Sequence, residues 1–419
     1  MQQIAVIITL VLYTLFSMTP LAGISMFSRT LNIAPGDLVM VFIGLSIIIE
    51  QLVKKRSNKE SQFRALNIVR FLYSYIALAA VFLAPTILFF MLRNEYATYM
   101  PRNVYVFFLW LIPIILFYYS TAKSIRFVDA KRILNLLMVS FLAGVIGNMW
   151  SVAPGFGLIE MVLSSLTSPV SRLSGQIEDP NQLGTVAVFF AVFAILGLIK
   201  EPKFRQRTFF VVFAIASCFV LLLTQSRESM VTLFVSMISL CVLLVRERRL
   251  LPAFFLAILL FVVALTSLWF VPRIAETITA VRLGETGDAL SARDAVWKTS
   301  LDIITSNPLG IGFETMYLIS AGSAHQAHNA FLQATVVAGG LGFLAYLAFL
   351  YYLIKLLWTL RCEQRFNWLL DAYIVFLSGY LITAMWSDHF ISFFTFNSIF
   401  FGYLGFVVRS NKDGEALNA

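Results

Sequence analysis

The chain predicts an all-α integral membrane protein of about twelve transmembrane helices, and three observations carry that reading. Hydrophobic residues make up 59% of the chain and charged residues 13%, against roughly 45–50% and about 25% in soluble domains. The apolar surplus is gathered into runs long enough to supply the roughly 20 residues that a helix needs to cross a bilayer. Between those runs the basic residues recur in alternate loops, as the positive-inside rule requires.

Taken in order, the candidate spans fall at 4–22, 36–53, 71–92, 103–120, 133–150, 183–199, 208–224, 229–245, 251–271, 329–354, 368–386 and 391–408. The first run has no Lys or Arg ahead of it and so lacks a basic n-region, which reads as a retained span rather than a cleaved signal. No repeat of fixed period is visible, and residues 1–419 read as a single polytopic domain. One set of loops holds Lys54, Lys55, Arg56, Lys59, Arg64 and Arg70, then Lys123, Arg126, Lys131 and Arg132, then Lys200, Lys203, Arg205 and Arg207. It continues with Arg246, Arg248 and Arg249, then Lys355, Arg361 and Arg365, and ends with Arg409 and Lys412. These 22 of the 31 basic residues mark the cytoplasmic side and put both termini there. The net charge of +9 therefore follows from topology, and nucleic acid is not needed as a partner.

The other nine basic residues fall on the outer side, and eight are arginines: Arg29, Arg93, Arg102, Arg172, Arg227, Arg273, Arg282 and Arg293, beside the single Lys298. Topology alone is indifferent between Lys and Arg. A planar fork is preferred where phosphate or carboxylate must be gripped, so the bias points to an anionic ligand outside. The three cysteines, Cys218, Cys241 and Cys362, lie in or beside apolar runs with neither metal-ligand spacing nor a disulfide framework.

Five stretches carry candidate chemistry. In 171–184, SRLSGQIEDPNQLG, Asp179 and Pro180 make a helix entry, while Arg172 and Asn181 exceed what a cap needs. In 224–230, TQSRESM, Arg227 stands in a very short outer turn, either as an arginine snorkelling at a helix end or as part of a charged cavity lining. Glu228 beside it points elsewhere round the helix. The outer segment 272–328, the longest without a span, holds an amphipathic helix with Ser291 as its N-cap and Arg293 on it. That helix suits a place on the membrane surface or over a cavity. The segment then makes a tight, backbone-exposed turn at Asn307, Pro308, Gly310 and Gly312, without the Gly-Lys-Ser/Thr ending of a P-loop. In 324–329, AHQAHN, His325 and His328 share a face if helical. His-Glu-x-x-His is absent, so a zinc-protease pattern is not met, and an imidazole here suits general-base work. Gly339, Gly340 and Gly342 thin the following span for close packing or a lipid tail. In 386–390, WSDHF, Asp388 could orient a histidine or bind a sugar, with Trp386 an interfacial anchor.

In this order and on one common side, these motifs resemble the O-antigen ligase and polymerase superfamily: Arg-x-x-Gly…Asp-Pro-Asn, Ser-Arg after a span, Arg…Asn-Pro-x-Gly-x-Gly, then His-Asn before a Gly-rich span. The resemblance covers mainly 171–345. It implies a type C glycosyltransferase-like bundle in the bacterial inner membrane, with its active site on the periplasmic face. The implied donor is an undecaprenyl-diphosphate-linked glycan, transferred with inversion and without metal or other cofactor. Arg172, Arg227 and Arg293 would hold the diphosphate, and His328 would be the catalytic base because Asn329 follows it. His325 stays open for that role, and Asn181, Asn329 and Asp388 would give support. Asp-x-Asp is missing, so a metal-bound nucleotide sugar is not suggested. The motifs serve the donor side. They leave a ligase acting on lipid A–core, our expectation, beside a polymerase acting on a second lipid-linked glycan. A lipid-linked glycan flippase is the remaining reading, although it would want charges at several depths, whereas these gather at one face.

Overall fold

The computed structural model describes residues 6–8, 10–11, 14, 22–26, 29–33, 62–92, 100–121, 130–152, 180–224, 226–252, 289–313, 326–363, 367–387, 390–391 and 394–410. Ten helices dominate these residues: α1 (Gln62–Leu92), α2 (Met100–Thr121), α3 (Ala130–Val152), α4 (Pro180–Lys200), α5 (Phe204–Thr224), α6 (Arg227–Arg246), α7 (Ala289–Ser306), α8 (Ala330–Glu363), α9 (Trp368–Thr383) and α10 (Phe394–Ser410). Against the all-α expectation there is one small antiparallel hairpin, β1 (Ala22–Met26) with β2 (Arg29–Ile33), in which Ala22 faces Ile33 and Met26 faces Arg29.

Among the described residues, six helices are long and apolar enough to cross a membrane: Asn67–Leu88, Ala130–Gly147, Pro180–Lys200, Phe204–Thr224, Arg227–Arg246 and Ala330–Glu363. Three shorter apolar helices, Leu109–Thr121, Trp368–Thr383 and Phe396–Val408, coincide with further expected spans. The expected span at 36–53, and most of those at 4–22 and 251–271, lie outside the described residues. Hydroxyls inside the apolar helices bond back to their own backbone. Thr86 donates to the Phe82 carbonyl, Ser140 to Leu136 and Thr185 to Asn181. This satisfies a polar group where lipid offers no partner.

The centre of the bundle is α4, most of which is buried, packed against α5, α6 and α9. Its Phe189 and Phe193 meet Tyr373 and Phe376 of α9 and Phe400 and Tyr403 of α10 edge-on or tilted, geometries that the ring quadrupole favours. The buried tyrosines are satisfied as well: Tyr75 donates to the Trp110 carbonyl and Tyr373 to that of Phe400. On the other side α8 packs on α1 and α7, and α10 on α2.

Ion pairs gather one end of this bundle. Lys200 at the end of α4 pairs with Glu247 just past α6, and Arg361 of α8 lies 3.5 Å from Glu247 and 2.5 Å from Asp371 of α9. Lys200 also lies 3.9 Å from Asp371, which is 2% exposed. All these bases belong to loops assigned to the cytoplasmic side. The starts of α4, α6 and α8 and the end of α9 therefore sit together at the opposite end.

Two local expectations are corrected. The helix carrying Arg293 is described from Ala289 on, so Ser291 lies within the helix and does not cap it. The expected span 329–354 is not one smooth helix. Ala338 (φ −141°, ψ 27°) and Gly339 (φ 61°, ψ −156°) break α8, so the glycine run kinks the span where thinning was expected.

Candidate functional site

At the end opposite the ion pairs, neutral hydrogen bonds join four helix ends. Ser226 is extended (φ −79°, ψ 103°), and its Oγ accepts from the Ser229 amide as the N-cap of α6. A Ser here is strongly preferred because it satisfies one of the orphan amides. The Ser226 hydroxyl also reaches Asn181 Oδ1 at 2.9 Å, and the Ser229 hydroxyl donates to the Asn181 carbonyl at 3.1 Å. Asn181 lies in the first turn of α4, directly after Pro180, where the Asp-Pro-Asn signal places the helix start. The excess noted for Asn181 in the sequence is thus a tether between α4 and α6.

That tether fixes Arg227 as the first residue of α6. Arg227 is exposed and Glu228 is buried, so they point apart as their spacing requires. A cation at a helix N-terminus is disfavoured by the macrodipole, typically by about 0.3–1 kcal/mol. Among the described residues Arg227 has no ion-pair partner. An anion bound there would be met by both the guanidinium and the positive helix end.

From Arg227 the connection runs along α6 to Thr232, whose Oγ1 lies 2.9 Å from Thr383 Oγ1 on α9. The helices approach this closely because Gly379 has no Cβ; one would overlap the Thr232 carbonyl oxygen. The next residue, Ala384, accepts from the Ala330 amide at 2.9 Å. Asn329 then does two things. Its Oδ1 accepts from the Phe331 and Leu332 amides, capping α8, and its Nδ2 donates to the Met385 carbonyl at 3.0 Å. The Ala327 amide on the other flank donates to Gln333 Oε1 at 2.9 Å.

His328 sits between these two pinned residues, exposed, with φ 48°. A non-glycine residue at positive φ is uncommon and costs free energy, so it persists only where its surroundings over-determine it. The shared face of His325 and His328 is expected only if the stretch is helical; residues 326–329 are not helical and α8 begins at Ala330, while His325 lies outside the described residues. Phe390 is held as well: the Trp110 indole donates to its carbonyl at 3.1 Å, and its amide donates to the Tyr380 hydroxyl at 3.4 Å.

The structure therefore places Arg227, Asn181, His328 and Asn329 at one end of the bundle. Arg293 lies on α7, which packs on α8. Arg172, His325 and Asp388 lie outside the described residues. The turn at Asn307–Gly312 differs from expectation. Its Ile311 and Gly312 amides are not exposed but donate to the Val336 and Val337 carbonyls, so they are not free to cradle a phosphate. Sequence reading missed Ser226, Ser229, Thr232, Thr383 and Gln333, although the capping serine two residues after Thr224 was a readable signal. Among the described residues no group of three His, Cys, Asp or Glu gathers.

A multi-span helical bundle with one ion-paired end and, at the other, an exposed arginine and a constrained histidine defines a membrane protein with its candidate site at one membrane face. Residues 209–347 match the family model described as O-antigen ligase, which bears out the resemblance to that superfamily. The match is shorter than half the chain. It covers Arg227, Arg293, His325, His328 and Asn329, and leaves Arg172, Asn181 and Asp388 outside. It supports the coarser class of membrane glycosyltransferase-like enzymes handling lipid-linked glycans. No curated protein matches the chain.

Proposed function

We propose that the protein is an O-antigen ligase-type glycosyltransferase of the bacterial inner membrane. It moves a glycan from undecaprenyl diphosphate to lipid A–core at the periplasmic face, with both termini in the cytoplasm. The observation that carries the reading is His328, held exposed at φ 48° between two anchored residues at the same end of the bundle as the exposed Arg227.

In this reading Arg227, Arg293 and Arg172 hold the diphosphate. Charge grows on it as the bond between the anomeric carbon and the phosphate oxygen breaks, and preorganised forks lower the barrier most where charge develops. His328 takes the proton of the acceptor hydroxyl as that oxygen attacks the anomeric carbon from the opposite face, so configuration inverts. Asn329 holds the backbone of His328, and Asn181 holds the cap that presents Arg227. The chemistry asks for no metal.

The test is transfer by purified protein with undecaprenyl-diphosphate-linked glycan, offering lipid A–core and a second lipid-linked glycan in separate reactions, with EDTA present. Product on lipid A–core that is lost in both His328→Ala and Arg227→Ala supports the proposal. A ladder of lengthened lipid-linked glycan makes the enzyme a polymerase using the same site. Movement of donor across a bilayer without transfer, unaffected by His328→Ala, replaces the enzyme with a flippase.

A further inference from the structure

The break in α8 leaves a specific backbone problem. In a continuous helix the Val336 and Val337 carbonyls would accept from the amides four residues on. Here, at the break, they accept from Ile311 at 2.9 Å and Gly312 at 3.0 Å. Backbone groups at membrane depth must be satisfied within the protein, so the turn after α7 completes the broken helix. The fit is backbone on backbone. A Cβ on Gly339 would overlap the Pro308 carbonyl oxygen, and one on Gly310 (φ 88°) would overlap that of Val337. Gly339, at φ 61° and ψ −156°, occupies a region open essentially to glycine alone. The turn is also anchored from behind: Ile311 is fully buried, Gly312 lies against Thr86 of α1, and the Phe313 ring meets Phe82 edge-on.

We propose that Gly310 and Gly339 form a fixed joint that positions the Arg293 helix relative to His328 for transfer. This rests on the reading of Arg293 and His328 as site residues. From the joint, α8 runs back to His328, and α7, which packs on α8, runs back to Arg293. From Ser306 back to Arg293 is about 20 Å along α7, and from Ala338 back to Ala330 is about 12 Å along α8. A tilt of about 10° at the joint would displace Arg293 by roughly 3 Å on that lever. Misplacement of about 1 Å at a reacting site can cost on the order of a hundredfold in rate. The buried Ser300 and Ile303 face of α7 steadies the lever but cannot set its register, whereas the two backbone hydrogen bonds can. Gly310 and Gly339 are thus positioning residues, remote from the reacting atoms.

The test uses the full chain with Cys218, Cys241 and Cys362 replaced by serine. Spin labels are attached at Leu301→Cys on α7 and Leu344→Cys on α8, both outward-facing at 52% and 61% exposure. The label–label distance distribution and glycan transfer are measured in Gly339→Ala, Gly310→Ala and Gly340→Ala. Gly340 has nothing within 4 Å of its added Cβ and serves as the control. The joint predicts a broadened or shifted distance and at least a hundredfold loss of transfer in the first two, and neither change in the control. If Gly339→Ala yields no folded protein, Ile311→Ala, which hollows out the joint behind its hydrogen bonds, carries the same two readouts. Near wild-type transfer, or lost transfer with an unchanged distance, overturns the joint. Transfer that survives His328→Ala and Arg293→Ala overturns the site reading instead, and leaves the distance result standing.

Discussion

Asn329 caps α8 and tethers it to Met385, and the two roles can be separated to test whether His328 is held for function. Asn329→Ala removes the cap on the Phe331 and Leu332 amides and the tether to the Met385 carbonyl. An N-cap contributes about 1 kcal/mol and a neutral hydrogen bond about 1 kcal/mol net, so the loss should be about 2 kcal/mol. Asn329→Asp keeps the capping oxygen, now with a charge that suits the helix N-terminus, but replaces the donor to Met385 with an oxygen. Its stability should fall by about 1 kcal/mol or less. The strained φ of His328 relies on its anchors, so both variants should relax it, and both should lose transfer by at least tenfold. Denaturant unfolding in detergent reads the first quantity, and initial transfer rates per folded protein read the second. If Asn329→Asp were as active as the parent, the tether would not position the histidine and the argument for its role would collapse. Stability losses that rank in the same order as activity losses would mean the same thing, because the tether would then matter only for folding.

Three further outcomes follow from the same geometry. His328→Gly should relieve the positive φ and stabilise the protein by about 1 kcal/mol while abolishing transfer; a loss of stability would show that the imidazole packs structurally. Arg361→Ala should destabilise by about 2 to 3 kcal/mol, below the 3–5 typical of a broken buried pair because Lys200 remains 3.9 Å from Asp371. Transfer per folded molecule should be unchanged, since that cluster is at the other end of the bundle. Arg227→Lys should keep a cation but lose the fork, and transfer should fall about tenfold with donor-binding salt dependence retained; equal activity would reduce Arg227 to a point charge.

The apolar runs announce the spans because lipid requires about 20 residues of one character, a signal averaged over a whole window. The Asp-Pro-Asn entry to α4 was equally plain, since the helix begins at Pro180. What stayed hidden was pairing between segments. Asn181 and Ser226 are 45 positions apart and Thr232 and Thr383 are 151 apart, so no local pattern joins them. The break at Gly339 was also hidden. Gly339, Gly340 and Gly342 read alike in sequence, yet one breaks the helix, one faces open space and one lies against the Ala334 carbonyl. Only the docked turn decides which. A helical face at His328 is not met for a related reason, because the cap at Asn329 starts α8 only after that residue.

The two ends of the bundle use their charges in opposite ways. At the basic end, Lys200, Glu247, Arg361 and Asp371 neutralise one another across four helices, which holds the ends together and leaves little field for a ligand. At the other end the joining is done by Ser, Thr, Asn and backbone groups. Neutral hydrogen bonds can fix geometry without consuming charge. Arg227 therefore remains exposed at the positive end of α6, a position its own helix disfavours. Among the described residues no acid pairs with that arginine, in contrast to the other end. An anion bound there would offset the cost of its position. That asymmetry, more than the identity of any one residue, makes this face the place to look for a diphosphate.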